Sequence, residues 1–146
     1  MIVYRTGNLL EDDAEVLVNT VNCVGVMGKG VALEFKKRFP DNFDYYKSKC
    51  DRGLLGPGEV YVFKDNPTIV NFATKNHWRD DSDLEWIDLG LRSLYAFILD
   101  DKVKTIAMPK LGCGNGGLDW KDVNALIVKY LDDVDCEVRV YGERVT

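Results

Sequence analysis

The sequence of 146 residues predicts an α/β fold with a mixed, mostly parallel sheet. Three observations lead to this prediction. Short runs rich in β-branched and aromatic residues alternate along the chain with stretches whose apolar residues recur at helical spacing. Several of the strand-like runs are almost continuously apolar, as expected for strands that are covered on both faces. Two of these runs end in glycine-rich loops that lead directly into a helix.

Six runs have the character of strands, and three stretches have an apolar helical face. The strands are predicted at Ile2–Arg5, Val16–Val21, Val60–Phe63, Thr68–Phe72, Thr105–Met108 and Glu137–Tyr141. The helices are predicted at Gly30–Phe39, Asp83–Leu99 and Asp119–Leu131. The first helix should stop at Pro40, the second should be capped by Ser82 or Asp83, and the third by Asp119. A weaker helix is predicted at Asp41–Asp51, with Asp41 as its cap and Gly53 as its stop.

Length and composition narrow the class of protein. With 46% hydrophobic and 29% charged residues, the chain fits one globular domain spanning residues 1–146. No apolar run approaches the roughly 20 residues that cross a membrane, and the first residues lack the layout of a signal peptide. We therefore expect a cytoplasmic protein that has no membrane partner and is a monomer.

Charge and cysteine spacing exclude two further classes. The net charge of −5 argues against a protein that binds nucleic acid through a broad basic surface. The four cysteines form no C-x-x-C pair, so we expect reduced thiols and neither a zinc site nor a redox motif.

The two glycine-rich loops are the most informative segments. The first follows a buried strand that ends in polar Asn19 and Asn22, and it carries Gly25, Gly28 and Gly30 before a helix begins. Glycines permit close approach to backbone N–H groups, and a helix N-terminus adds partial positive charge. The loop therefore predicts a cradle for an anion at the carboxyl end of a strand.

The second loop has the same organisation. It follows the strand Thr105–Met108 and contains four glycines before the helix capped by Asp119. Two such units suit a ligand with two phosphates. Neither loop matches G-x-x-x-x-G-K-[ST] or G-x-G-x-x-G, which disfavours a Walker-type ATPase or a standard dinucleotide-binding fold.

These loops resemble the phosphate loops of the macrodomain family. The resemblance is carried by Val-Gly-Val-Met-Gly-Lys-Gly at residues 24–30, Gly-Cys-Gly at 112–114 and Gly-Gly-Leu-Asp-Trp at 116–120. It is greatest for the branch of terminal ADP-ribose glycohydrolases that includes the DarG-type antitoxins, which remove ADP-ribose from DNA. The resemblance extends from Gly7 to the last strand and implies a three-layer α/β/α sandwich. It also implies that ADP-ribose is the ligand, with no cofactor and no metal.

The resemblance assigns roles to matched positions. Lys75 matches the catalytic lysine of this branch. Asn22 matches an asparagine near the distal ribose, and the resemblance implies that it assists catalysis by orienting that ribose. Asn8 stands in the adenine-binding segment where many members have Asp, and an amide can still hydrogen-bond an adenine edge. The implied ligand-binding residues are Asn8, Leu9, Thr20, Met27, Gly28, Lys29, Gly30, Val31, Gly112, Cys113, Gly114, Asn115, Gly116, Gly117 and Leu118.

The position of Lys75 is chemically reasonable without the family. A lysine at the tip of a buried strand can lose part of its hydration and act as a base or an amine nucleophile. It can attack the anomeric carbon of the distal ribose, or polarise the ribose ring and the leaving group. A human relative also uses an acidic residue in the second loop, where this chain has Gly114-Asn115-Gly116-Gly117. An acid-assisted mechanism is therefore not expected, and we interpret Asp119 as a helix cap.

Several neighbouring residues have open interpretations. We interpret Cys113 as a small filler in its loop and not as a nucleophile. His77, the only histidine, either lines the pocket or has a surface or packing role, and we favour the second interpretation. Trp78 either stacks on a base of attached nucleic acid or covers the apolar edge of the pocket.

The leading hypothesis is a glycohydrolase that removes ADP-ribose from a target, with ADP-ribosylated single-stranded DNA modified on thymidine as the favoured substrate. A cognate ADP-ribosyltransferase toxin is the implied partner. Two alternatives stay open. One is a non-catalytic reader of ADP-ribose, and the other is a hydrolase acting on ADP-ribosylated protein carboxylates, ADP-ribose-1″-phosphate or O-acetyl-ADP-ribose.

Overall fold

A computed structural model describes residues 1–145. It contains six strands: β1 (Ile2–Tyr4), β2 (Val16–Val21), β3 (Val60–Phe63), β4 (Thr68–Ala73), β5 (Thr105–Met108) and β6 (Glu137–Val140). It contains four α-helices: α1 (Gly30–Arg38), α2 (Pro40–Asp51), α3 (Leu84–Asp100) and α4 (Trp120–Leu131). Short 3₁₀ turns occur at Leu9–Glu11 and Gly114–Gly116. Every predicted strand and helix is confirmed, and no end differs by more than one residue.

The strands form one mixed sheet in the order β1-β6-β5-β2-β4-β3. All neighbouring pairs are parallel except β3 and β4, which run antiparallel. The expected mixed, mostly parallel sheet is therefore confirmed. Because β5, β2 and β4 are adjacent and parallel, their carboxyl ends meet at one edge of the sheet. Both glycine loops and the segment that contains Lys75 leave the sheet at that edge.

Helices cover both faces of the sheet, as the side chains of β2 show. Val16 and Val18 pack in a core cluster with apolar residues of α3 and α4. Leu17 faces the other way and packs with Phe35 of α1. Val21 packs on that same face with Tyr46 of α2. This alternation is the period of two expected for a strand buried on both faces, and it produces the expected α/β/α layers.

The helix caps correct one prediction. Asp83 accepts a hydrogen bond from the Glu85 N–H at 2.9 Å, and Asp119 caps α4 in the same way, as expected. The expected Asp41 cap of α2 is wrong, because Phe39 is the N-cap and Pro40 is the first helical residue. Proline suits that position, since its φ is already helical and it lacks the N–H that would stay unpaired there. α1 ends at Arg38, so two helices meet with a single residue between them.

Within residues 1–145, no helix combines the length and the apolar character that a bilayer-spanning helix needs.

Candidate functional site

A cavity of about 560 Å³ lies at the carboxyl edge of β2, β4 and β5. This volume is within the range of small-molecule sites, which is roughly 300–1,000 Å³. The cavity is lined by Thr20, Val21, Asn22, Val26, Gly28, Lys29, Gly30, Val31, Ala32, Thr74, Lys75, Trp78, Pro109, Lys110, Gly112, Cys113, Gly114, Asn115 and Gly116. Among these lining residues are three lysines and no Asp or Glu. The lining therefore favours an anionic ligand.

The first glycine loop brings the N-terminus of α1 to the cavity. Lys29 is the N-cap residue, and its side chain makes no capping hydrogen bond. Gly30, the first helical residue, has a φ of 63°, a conformation that a side chain disfavours. The first N–H groups of a helix have no partner within the helix and carry partial positive charge. This end of α1 can therefore donate to phosphate oxygens.

Asn22 holds the first loop in shape from below. Its Oδ1 accepts hydrogen bonds from the N–H groups of Val24 and Val26 at 3.1 and 3.3 Å. Its Nδ2 donates to the Val26 carbonyl at 2.7 Å, and the Tyr46 hydroxyl donates to Oδ1 at 2.7 Å. The side chain is almost completely buried. Asn22 therefore fixes the turn of the loop in addition to lining the cavity, a role that the sequence did not indicate.

The glycines of the second loop are required by close packing. Gly112 has a φ of 71°, and a Cβ atom there would lie 2.7 Å from Cδ1 of Leu118. A Cβ atom at Gly116 would lie 2.5 Å from the hydroxyl of buried Ser82. The Ser82 N–H donates to the Gly116 carbonyl at 2.9 Å, so Ser82 supports the loop directly. Any side chain at Gly112 or Gly116 would displace this loop.

Lys75 lies where the two loops and the end of β4 meet. Its Nζ donates to the Asn115 carbonyl at 2.9 Å and to the Trp78 carbonyl at 3.3 Å. The N–H of Cys23, in the first loop, donates to the Asn76 carbonyl at 2.9 Å. The lysine amine is therefore held by one carbonyl of the second loop and one of its own segment, and that segment is bonded in turn to the first loop. Because an ammonium group has three N–H donors, two carbonyl partners leave one for a ligand.

The structure places most of the predicted site residues in the cavity wall. These are Thr20, Asn22, Gly28, Lys29, Gly30, Val31, Lys75, Gly112, Cys113, Gly114, Asn115 and Gly116. Their individual roles stay predictions.

Five predicted residues do not line the cavity. The Asn8 side chain caps the 3₁₀ turn of Leu9–Glu11 by accepting from the Leu10 N–H, and Leu9 is buried in the core beside α1. Met27 is buried beneath the first loop, and Leu118 packs against the core of α3 and α4. Gly117 ends the second loop's 3₁₀ turn in a left-handed conformation. Met27, Gly117 and Leu118 thus hold the loops from behind.

Several lining residues were not predicted from the sequence. Thr74 precedes Lys75, and Pro109 and Lys110 follow β5, so each lies at the strand edge that the glycine loops already indicated. Val21, Val26 and Ala32 flank predicted residues. Counting outward from the strand ends would have identified most of them. Trp78, whose role was left open, lines the cavity as well.

The cysteines near the site are poorly suited to nucleophilic catalysis, and no metal-binding cluster accompanies them in the described residues. Burial raises the pKa of the Cys113 thiol, which is half-buried in the second loop. Burial, together with Cys50 and Glu59, raises the pKa of Cys23 to about 12. Neither cysteine is therefore a ready thiolate nucleophile. Over residues 1–145, no group of three or more His, Cys, Asp or Glu side chains is arranged to hold a metal ion.

Comparison with known proteins identifies the family. The model of the Macro domain family matches residues 18–127. A DNA ADP-ribosyl glycohydrolase of Mycobacterium tuberculosis is 49% identical over 94% of this chain and 42% of its own length. A transferase–glycohydrolase fusion protein of Thermosipho africanus, named for DNA ADP-ribosylation, is 31% identical over 92% of this chain and 40% of its own length. The chain spans about two fifths of the length of these curated relatives.

Solved structures agree with the sequence comparison. The macrodomain of Mycobacterium tuberculosis DarG superimposes with a TM-score of 0.94 at 45% identity, covering 99% of each chain. The DarTG protein of Thermosipho africanus, solved in complex with ADP-ribose, has a TM-score of 0.90 at 31% identity, covering 99% of this chain and 43% of that one. The expected resemblance to DarG-type proteins and the expected macrodomain fold are confirmed. The chain belongs to the macrodomain family.

Proposed function

We propose that this chain binds ADP-ribose in the cavity and hydrolyses the glycosidic link between ADP-ribose and a DNA base, with thymidine in single-stranded DNA as the modified nucleoside. The observation that carries the proposal is the Lys75 amine, which lines the cavity and is fixed by the Asn115 carbonyl of the second glycine loop and by the Trp78 carbonyl of its own segment. The relatives named as DNA ADP-ribosyl glycohydrolases support the choice of reaction and substrate.

The cavity supports a particular placement of the ligand. The diphosphate lies between the N-terminus of α1 and the second glycine loop, where backbone N–H groups and lysines surround it. The distal ribose lies beside Lys75 and Asn22. The adenine extends beyond the cavity wall toward the turn that begins with Asn8 and Leu9. The Asn8 oxygen already accepts from Leu10, and its amide nitrogen remains to donate. No metal or cofactor takes part in this proposal.

The reaction is a hydrolysis at C1″ of the distal ribose. A water molecule adds to C1″ while the bond from C1″ to the base nitrogen breaks. The electron pair of that bond stays on the base nitrogen, which regains a proton, so the products are free ADP-ribose and unmodified DNA. Lys75 acts either by attacking C1″ first, with water releasing the adduct, or by polarising the ribose ring and the leaving group.

The substrate choice is tested by a panel of ADP-ribosylated targets. The purified chain is incubated with single-stranded DNA carrying ADP-ribosyl-thymidine, with protein modified on Glu or Ser, with ADP-ribose-1″-phosphate and with O-acetyl-ADP-ribose. The products are identified by mass spectrometry. We expect release from DNA and little from the others. ADP-ribose binding without turnover of any substrate would identify a reader, and release only from Glu would identify a protein-directed hydrolase.

The partners follow from the same reaction. The substrate must be made by a DNA ADP-ribosyltransferase, and the fusion relative, whose name joins the two activities, supports such a partner. We propose that residues 1–146 form a single catalytic domain that works as a monomer in the cytoplasm, where ADP-ribosylated DNA would be found.

A further inference from the structure

Two exposed apolar side chains border the cavity beside Lys75. Val26 and Trp78 both line it, and each is 41% exposed. The diphosphate and ribose of a ligand need several hydrogen-bond donors and acceptors, whereas Val26 supplies none and Trp78 supplies only its single indole N–H. Exposed apolar side chains that are grouped at a ligand cavity often mark a binding surface. These two residues therefore suit a part of the substrate other than ADP-ribose itself.

The backbone of both residues is hydrogen-bonded to the candidate catalytic residues. The Lys75 amine donates to the Trp78 carbonyl at 3.3 Å. Asn22 bonds both the N–H and the carbonyl of Val26, at 3.3 and 2.7 Å. A group attached to C1″ beside Lys75 and Asn22 would thus leave the ribose toward Val26 and Trp78. That group is the leaving group of the reaction.

The surroundings of Trp78 suit a nucleobase attached to a phosphate backbone. The guanidinium carbon of exposed Arg79 lies 4.8 Å from the centre of the Trp78 ring, and the His77 ring lies 5.2 Å from it. Aromatic side chains stack on bases of any sequence, and Arg adds both stacking and attraction to phosphate. A protein carboxylate, the competing leaving group, has no aromatic ring to stack.

We infer that Trp78, with Val26 in the same cavity wall and Arg79 against the Trp78 ring, forms a subsite that holds the ADP-ribosylated base of single-stranded DNA. The inference rests on the proposed function and names the feature that selects a nucleobase as the leaving group. Trp78 is here a specificity-determining residue, whereas the loops and Lys75 act on the part of the substrate common to all ADP-ribosylated targets.

The test compares two ligands that differ only by the DNA. The first is free ADP-ribose, and the second is a short single-stranded oligonucleotide carrying one ADP-ribosyl-thymidine. Dissociation constants are measured for Trp78→Ala, Trp78→Phe and Arg79→Ala, in a Lys75→Ala background if the oligonucleotide is hydrolysed. Tyr95→Ala is the matched control, because Tyr95 is an aromatic residue of similar exposure, 39%, on α3.

We expect Trp78→Ala to weaken binding of the oligonucleotide about tenfold while binding of ADP-ribose changes less than twofold. Trp78→Phe should restore most of the affinity, since it keeps an aromatic face. Arg79→Ala should reduce the salt dependence of oligonucleotide binding. Tyr95→Ala should change the affinity for neither ligand.

Two results for Trp78→Ala would overturn the inference: an equal loss of affinity for both ligands, or no loss of affinity for the oligonucleotide. The proposed function is judged separately. Hydrolysis of ADP-ribosylated DNA with no effect of Trp78 would reject the subsite and keep the reaction. Absence of hydrolysis with Trp78-dependent binding of the oligonucleotide would reject the reaction and keep the subsite.

Discussion

The side chain of Asn22 is enclosed by the loop that it supports. Its oxygen accepts from two backbone N–H groups and from Tyr46, and its nitrogen donates to the carbonyl of Val26. A residue placed in this way affects substrate binding through the shape of the loop. Tyr46 lies 24 positions along the chain, which is why the sequence alone could not indicate this arrangement.

We therefore expect Asn22→Ala to affect binding and stability together. Removing the amide leaves the Val24 and Val26 N–H groups without their partner, at a cost of about 1–3 kcal/mol. The affinity for ADP-ribose should fall by about tenfold or more, measured by calorimetry, and the urea midpoint should fall as well. If Asn22 only oriented the distal ribose for reaction, the turnover rate would fall while affinity and stability stayed the same.

At the scale of elements, α3 packs against the sheet through a glycine. A Cβ atom at Gly90 would lie 2.1 Å from Cζ of Phe72, a fully buried residue of β4. The helical pattern of α3 was evident in the sequence, but this contact depends on the pairing of a helix with a particular strand. At position 90, helix preference therefore favours alanine, whereas packing against Phe72 requires glycine.

Gly90→Ala should destabilise the protein although alanine is the better helix former. Helix preference alone would stabilise by about 1 kcal/mol, whereas overpacking of a core costs typically about 1–3 kcal/mol. Because the overlap with Phe72 is severe, we expect a net loss of about 2 kcal/mol in urea unfolding. Ser93→Ala, at an exposed position of the same helix, serves as the control and should not destabilise. An unchanged or higher midpoint for Gly90→Ala would contradict this packing.

The buried carboxylate of Asp12 lies in the segment that precedes β2. It links this segment to Arg139 of β6 and to Tyr141, which follows β6. Asp12 accepts hydrogen bonds from Arg139 at 2.7 Å, from the Ala14 N–H at 2.8 Å and from the Tyr141 hydroxyl at 2.5 Å. Its side chain is 1% exposed. Burial alone would raise the pKa of Asp12, but hydrogen bonds from Tyr141, Arg139 and Ala14 outweigh it and lower the pKa below its ordinary value. The ionised form therefore stabilises the fold.

Asp12→Asn should lower the free energy of unfolding by about 2 kcal/mol at pH 7. A lowered pKa means that this stabilisation is complete above the ordinary carboxyl pKa, about 4, and is lost as the pH falls through the folded-state value. The difference in the free energy of unfolding between the parent and Asp12→Asn should thus disappear in acid. Asp13→Asn is the matched control, because Asp13 pairs with the same Arg139 but is 92% exposed, so little should change. A gap that persists in acid would contradict the assignment.

The elements were predictable because their signals are local. Strand and helix periodicity, the Asp83 and Asp119 caps and the glycine stop after α2 all lie within a few residues of what they control. The start of α2 was not predictable in this way. Pro40 is compatible both with the end of one helix and with the first residue of the next, and here it lies between two helices joined by Phe39 alone.

At the scale of the whole molecule, the order of the strands creates the site. β2, β4 and β5 come from distant parts of the chain, yet they are neighbours in the sheet and point the same way. This brings residues 20–32, 74–78 and 109–116 around one cavity. The glycine loops and Lys75 could each be found in the sequence. Their meeting, and the hydrogen bond from Lys75 to Asn115, required the topology.

The topology also separates residues that touch the cavity from those that support it. Met27 and Leu118 fall within the loop motifs, and both are apolar side chains packed behind the loops. Sequence proximity to a glycine could not distinguish the two groups, because the direction of each side chain depends on how the loop folds back on the core.

The most direct test of the account is the single-turnover release of ADP-ribose from single-stranded DNA carrying ADP-ribosyl-thymidine, measured beside the affinity for free ADP-ribose. Lys75→Ala should slow release at least about 100-fold, while the dissociation constant for ADP-ribose stays within about threefold. Lys75→Arg keeps a cation and should retain part of the rate if the lysine polarises the bond, but not if its amine attacks C1″. Lys64→Ala, which removes a surface lysine paired with Asp101, is the control and should be unaffected. Release by Lys75→Ala at the parent rate would contradict the account.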